Sequence, residues 1–175
     1  MSEWTGGLRP ECPAVQELRA ALLAAVPQLA ADPQKIGTVR EDGSRHTAGL
    51  AMDIRLDSRV DWEKSSADVI VAALVKLHAR MRWADLLYTD WSGGTPFHFH
   101  IPGMPPFGGP KGMLQKNPTS EQLGKQHENH VHVDWFSGSP TDWPPHASTT
   151  GFRGPLVAEL QRPPEWLTTY MRTVR

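Results

Sequence analysis

Two short runs of residues hold most of the side chains in this chain that could do chemistry. Ser44-Arg45-His46-Thr47-Ala48-Gly49-Leu50-Ala51-Met52-Asp53 sets a histidine and an aspartate seven positions apart. Far downstream, His127-Glu128-Asn129-His130-Val131-His132 supplies three imidazoles. In the second run His130, His132 and Asp134 alternate with Val131 and Val133. That is the period of a strand, so the polar side chains share one face and the valines the other. Two imidazoles on one strand face can be aimed at a common point. Histidine nitrogens with a carboxylate oxygen are ligands for Zn2+, and three of them leave a fourth position for water, whose pKa falls to about 7. The expected ligands are His46, Asp53 and His132. Gly49 and Ala51, between the first two, are expected to keep the approach to the metal uncrowded.

Phe97-His98-Phe99-His100-Ile101 is a second alternating His-x-His, and it too could supply the third ligand. The 130/132 pair is preferred because His127 precedes it. The 98/100 pair also runs straight into Gly and Pro, more like a loop edge than a central strand. If it lies near the metal, its expected place is the wall of a substrate groove.

The pattern Ser-x-His-x-x-Gly-x-Ala-x-Asp is complete at 44–53 and resembles the zinc signature of the D-Ala-D-Ala peptidases, relatives of lysostaphin and of the hedgehog amino-terminal domain. The downstream His-x-His is similar to that superfamily's third-ligand motif, in which the second histidine binds zinc and the first assists chemistry. The spacing 127, 130, 132 most resembles the penicillin-insensitive murein endopeptidases. The likeness covers roughly residues 36 to 136.

What the resemblance implies is a zinc endopeptidase acting on peptidoglycan stem peptides or cross-links. The implied fold is α+β: a small antiparallel sheet with helices packed on it, hedgehog/D-Ala-D-Ala peptidase-like, with long Gly/Pro-rich loops around the metal cleft. One departure matters. Dipeptidases and carboxypeptidases of the group carry a glutamate base three residues before the metal-binding histidine, where this chain has Asn129; Glu128 is one residue off and faces the opposite way on a strand. The base is therefore read as His130 first and His127 second. Arg40, upstream of the signature as in relatives, is a candidate to hold the oxyanion. Ser44 is not read as a nucleophile, since nothing beside it forms a serine triad. Asp134 is a candidate partner orienting an imidazole, and Trp135 and Tyr88 are candidates to stack on substrate. Two other readings stay open: a zinc D,D-carboxypeptidase or dipeptidase, and a non-catalytic zinc-binding interaction module of hedgehog-like fold.

Composition bounds the rest. A chain of 175 residues with 39% hydrophobic content is expected to form a single domain, residues 1–175, with a real core. Its 18 basic and 19 acidic residues give no electrostatic footprint for nucleic acid or anionic membrane. Neither nucleic-acid binding nor membrane insertion is expected. The single cysteine, Cys12, cannot form an internal disulfide. The start, Met1-Ser2-Glu3-Trp4, lacks a basic segment followed by an apolar run, so synthesis in the cytoplasm without a signal peptide is expected. A wall-cleaving enzyme of that kind would act in the periplasm or cell wall of a target cell, as phage endolysins and secreted antibacterial effectors do. An effector would also need a cognate immunity protein.

The elements that must position these side chains follow from periodicity. Residues 13–26 have apolar residues at helical spacing behind Pro13, and 65–80 carry a mostly apolar helical stripe. Strands are expected at 49–56, 82–91 and around 130–134. Residues 92–126 are rich in Gly and Pro and are expected to be a long loop bordering the cleft. A Pro-rich stretch at 139–155 leads to a helix expected near 165–172.

Overall fold

The computed structural model describes residues 9–38, 45–57, 59–90, 95–100, 114–116, 129–135 and 148–162. Helix α1 (Pro13–Ala25) opens on a proline, whose missing N–H is one that a helix start leaves unbonded in any case. It buries Val15, Leu18, Ala21 and Leu22 on one stripe. A short helix α2 (Pro27–Ala31) and a 3-10 turn (Pro33–Lys35) lead into strand β1 (Ile36–Gly37). Strand β2 (Ala51–Ile54) follows the first motif.

Helix α3 (Asp61–Lys76) starts four residues earlier than the stripe at 65–80 suggests. Asp61 and Glu63 sit in its first turn and Lys76 in its last, the arrangement that complements the helix dipole. The chain breaks at Leu77, forms helix α4 (His78–Met81), and stops at Arg82 with φ 56°. Strand β3 (Asp85–Asp90) is next, then β4 (Thr95–His100), β5 (Leu114–Lys116) and β6 (Val131–Asp134). Helix α5 (Arg153–Leu160) is the last described element.

Two expectations are corrected here. The stretch 92–126 is not one continuous loop, because β4 and β5 lie inside it and pair with the sheet. Position 98 therefore sits on an interior strand rather than at a loop edge; the alternation of apolar and polar residues at 97–101 is the strand signal, and the Gly and Pro after it mark only where pairing stops. Helix α5 also begins inside the Pro-rich stretch. Pro155 falls in its first turn, where its missing donor costs nothing, and the carboxylate of Glu17 on α1 accepts the backbone N–H groups of Gly151 and Phe152 at the helix entry, at 2.6 and 2.9 Å. The helix expected near 165–172 lies outside the described residues.

The strands form one antiparallel sheet in the order β1-β2-β6-β3-β4-β5. Alternation decides what each face does. Val133 on β6 pairs with Met52 on one side and Leu86 on the other, and Val131 pairs with Ile54; all are fully buried. They pack with the apolar stripes of α1, α3 and α5 in a single core that also takes Trp83, Trp135 and Phe152. Burying each Val, Leu or Ile is worth about 1.5–3 kcal/mol, so this face is strongly specified. The intervening residues are then committed to the other face. The row Asp53↔His132↔Leu87 crosses the sheet centre there.

Candidate metal centre

Asp53 and His132 are Cα partners on the central strands β2 and β6. His132 Nδ1 lies 2.7 Å from Asp53 Oδ1. His46 arrives from the turn before β2, and its Nε2 lies 3.3 Å from the same oxygen. The two rings meet edge to face, with centroids 5.3 Å apart. One donor atom from each of His46, Asp53 and His132 lies within 4.8 Å of the other two, a buried group that could hold a metal ion. The two distant motifs converge as expected.

Why the turn delivers His46 there is legible in the backbone. His46 C=O accepts from Gly49 N–H at 2.9 Å, and Arg45 C=O from Leu50 N–H at 2.9 Å, closing a tight loop before β2. Gly49 has φ +70°, and a Cβ there would meet the carbonyl oxygen of Pro10 at 2.1 Å. The segment before α1 lies across this turn, with Arg9 N–H bonded to Thr47 C=O and Cys12 N–H to Gly49 C=O. The glycine is thus required by the left-handed turn and by the crossing chain, not to clear an approach to a metal as the sequence suggested.

The donor set suits a cation. His46 Nδ1 is 2.6 Å from the backbone carbonyl of Thr38, which can only accept, so Nδ1 carries the hydrogen and Nε2 is the nitrogen turned toward Asp53. His132 has a carboxylate at each ring nitrogen: Asp53 at Nδ1, and Asp134 Oδ2 at 3.3 Å from Nε2. Asp134 therefore orients the His132 imidazole, the kind of support that a metal-binding histidine needs. Burial alone would raise the Asp53 pKa, but hydrogen bonds from His132 and His46 outweigh it and hold the carboxyl far below the usual range. Burial would likewise depress His132, yet the carboxylates of Asp134 and Asp53 push it up to about 9. Two imidazoles and two buried carboxylates drawn onto one point attract positive charge, whether a proton or a divalent ion. Tetrahedral zinc wants donors about 3.4 Å apart, close to the His46–Asp53 distance.

His130 stands beside this group. Its Nε2 is 3.7 Å from Asp53 Oδ1, and its Nδ1 donates to the side-chain oxygen of Asn129 at 2.9 Å. Asn129 thus does not replace the missing glutamate; it sets which nitrogen of His130 faces the site. Arg40, Ser44, His127 and Glu128 lie outside the described residues.

Position 98 pairs with Leu87, which in turn pairs with His132. Backbone register therefore puts His98 in the same row as Asp53 and His132 but two strands from His132, about 10 Å away at the usual strand spacing. Among the described residues, His132 completes the group with His46 and Asp53; the side chains of His98 and His100 lie outside the described residues.

Tyr88 and Trp135, candidates for substrate stacking, are core residues. Tyr88 is 4% exposed and donates to Asp68 Oδ1 at 3.0 Å, while Trp135 is fully buried and its indole N–H donates to Met81 C=O at 3.0 Å. A buried ring with its polar atom already bonded inward has no face left for a ligand.

Sequence reasoning missed Thr38 and Arg45. Thr38 acts through its main-chain carbonyl, which no side-chain pattern reveals. Arg45 sat inside the motif, and its pairing with Asp134 could have been suspected from the buried carboxylate alone. No family model, curated protein or solved structure matches this chain. Among the described residues no helix is long and apolar enough to cross a membrane.

Proposed function

We propose that this chain is a zinc-dependent hydrolase that cleaves an amide bond in peptidoglycan stem peptides or cross-links, a murein endopeptidase of the D-Ala-D-Ala peptidase and hedgehog-like kind. One observation carries the reading: His46, Asp53 and His132 bring their donor atoms together on the face of the sheet opposite the buried Met52, Val133 and Leu86, with His130 alongside but outside the ligand group. A purely structural zinc site uses four protein ligands; three ligands and a neighbouring basic imidazole fit hydrolysis better.

His46 Nε2, an Asp53 carboxylate oxygen and His132 Nδ1 would hold the ion. When bound, zinc supplies a Lewis acid that polarises the scissile carbonyl and acidifies water. The remaining work belongs to the chain. With Nδ1 tied to Asn129, His130 offers Nε2 as the base that takes a proton from the attacking water and returns it to the leaving amine. One water is consumed, a C–O bond forms and the C–N bond breaks. The charge balance, 18 basic against 19 acidic residues, gives no sign of a polyanionic substrate. Delivery to the wall as an endolysin or antibacterial effector, with an immunity protein in the producer, belongs to the same proposal.

The test is digestion of purified peptidoglycan by the zinc-loaded chain, with fragments read by mass spectrometry. New amino termini within stem peptides or cross-links are expected. Unchanged muropeptides with bound zinc would instead point to a binding module.

A further inference from the structure

Arg45 precedes a metal ligand in sequence, but its side chain serves the other motif. Its Nη1 contacts Asp134 Oδ1 directly and lies 3.2 Å from Asp85 Oδ2. Asp134 and Asp85 are Cα partners across β6 and β3, and both are buried. Like charges opposite each other on adjacent strands repel, and Arg45 inserts a guanidinium between them. The same Asp134 Oδ1 also accepts the backbone N–H of Asp85 at 3.2 Å. Its second oxygen, Oδ2, faces His132 Nε2 at 3.3 Å. Three donors therefore fix the direction of one carboxylate.

That direction has a consequence for the metal site. Both ring nitrogens of His132 face a carboxylate, which can only accept; an ion held by Asp53 would take the place of the hydrogen at Nδ1, while Asp134 keeps the one at Nε2. We propose that Arg45 is a positioning residue for the metal centre: by pinning Asp134 between Asp85 and His132, it holds His132 in the tautomer and orientation that present Nδ1 to the ion. This rests on the reading of His46, Asp53 and His132 as metal ligands. It also makes one motif complete the other, since Arg45 reaches a carboxylate 89 residues away. Without the guanidinium, Asp134 turns away from Asp85 and carries the acceptor for Nε2–H with it.

The experiment measures zinc affinity of the full chain by competition with a chromophoric chelator, beside imidazole 15N–1H correlation spectra of the zinc-loaded protein. Arg45→Gln is expected to weaken zinc binding about tenfold or more, as loss of a ligand's supporting partner does. Arg45→Lys, which keeps the charge but not the fork, recovers part of that loss. In Arg45→Gln/Asp134→Asn the two effects do not add, because both act through one bond. Equal affinity in wild type and Arg45→Gln, or full additivity, overturns the inference. A wild-type spectrum with zinc on His132 Nε2 overturns it without any variant, which covers the case in which Arg45→Gln fails to fold. A wild-type chain that binds no zinc at all would instead overturn the metal reading beneath it.

Discussion

The imidazole of His46 is held by a main-chain atom: its Nδ1 donates to the carbonyl of Thr38 at 2.6 Å, across from the strand that carries Asp53. Thr38 is itself anchored, since its hydroxyl contacts Glu11 and accepts from Arg19 Nη2 at 2.8 Å. Arg19 is on α1, so the helical layer reaches His46 of the candidate metal group through two hydrogen bonds.

That anchor should make part of the stability acid-sensitive. Burial would raise the Glu11 pKa, but hydrogen bonds from Arg19 and Thr38 prevail and lower it. A group depressed in the folded state stabilises above its unfolded pKa and loses that contribution as pH falls through the folded value. Thermal melts from pH 6 down through the carboxylate range should show Glu11→Gln losing less stability than wild type. Parallel curves for the two proteins would count against the anchor.

Each of His46→Ala, Asp53→Ala and His132→Ala should abolish stoichiometric zinc together with peptidoglycan cleavage, as measured by elemental analysis and digestion. With the ion at a hundred times its Kd, binding contributes about 2.7 kcal/mol, so chelation should lower the wild-type Tm by about 5–10 °C. These three variants should show no such response to chelator. Zinc retained by His132→Ala would rule out its role as a ligand.

His130→Ala should keep zinc and lose turnover by about 10²–10⁴-fold, the usual worth of a general base. Asn129→Ala should move the same way by a smaller factor, because it leaves Nε2 of His130 in reach but unfixed. Loss of metal in His130→Ala would make it a fourth ligand and close the site to chemistry.

Gly49→Ala should cost stability rather than chemistry. The left-handed φ of +70° alone is worth about 1–3 kcal/mol to a residue with a Cβ, and the 2.1 Å approach to Pro10 adds a clash with backbone that cannot swing aside. Chemical denaturation should show a lower midpoint, and zinc affinity should fall with it because the turn delivers His46. A midpoint equal to wild type would mean that the Pro10 crossing is not made in solution.

The grouping of His46, Asp53 and His132 was readable because chemistry restricts residue type: few side chains bind metals, and strand alternation put His132 and Asp134 on one face. Trp135 misled for the opposite reason, since an aromatic ring serves a core and a ligand equally well and only burial distinguishes them. Strand β4 hid behind the Gly and Pro that follow it, and α5 behind a proline its first turn tolerates. Thr38 was invisible because a carbonyl has no sequence signature.

The pairing of Asp53 with His132 across β2 and β6 ties the candidate metal site to folding. Slipping those strands by a single residue would set a valine against Asp53 and drive the imidazole into the layer where Val131 and Val133 now meet the helices. Misaligned chains would lose their oily interior and the juxtaposition of these two side chains in one stroke, so a variant that keeps both residues and still melts cooperatively is expected to keep them side by side.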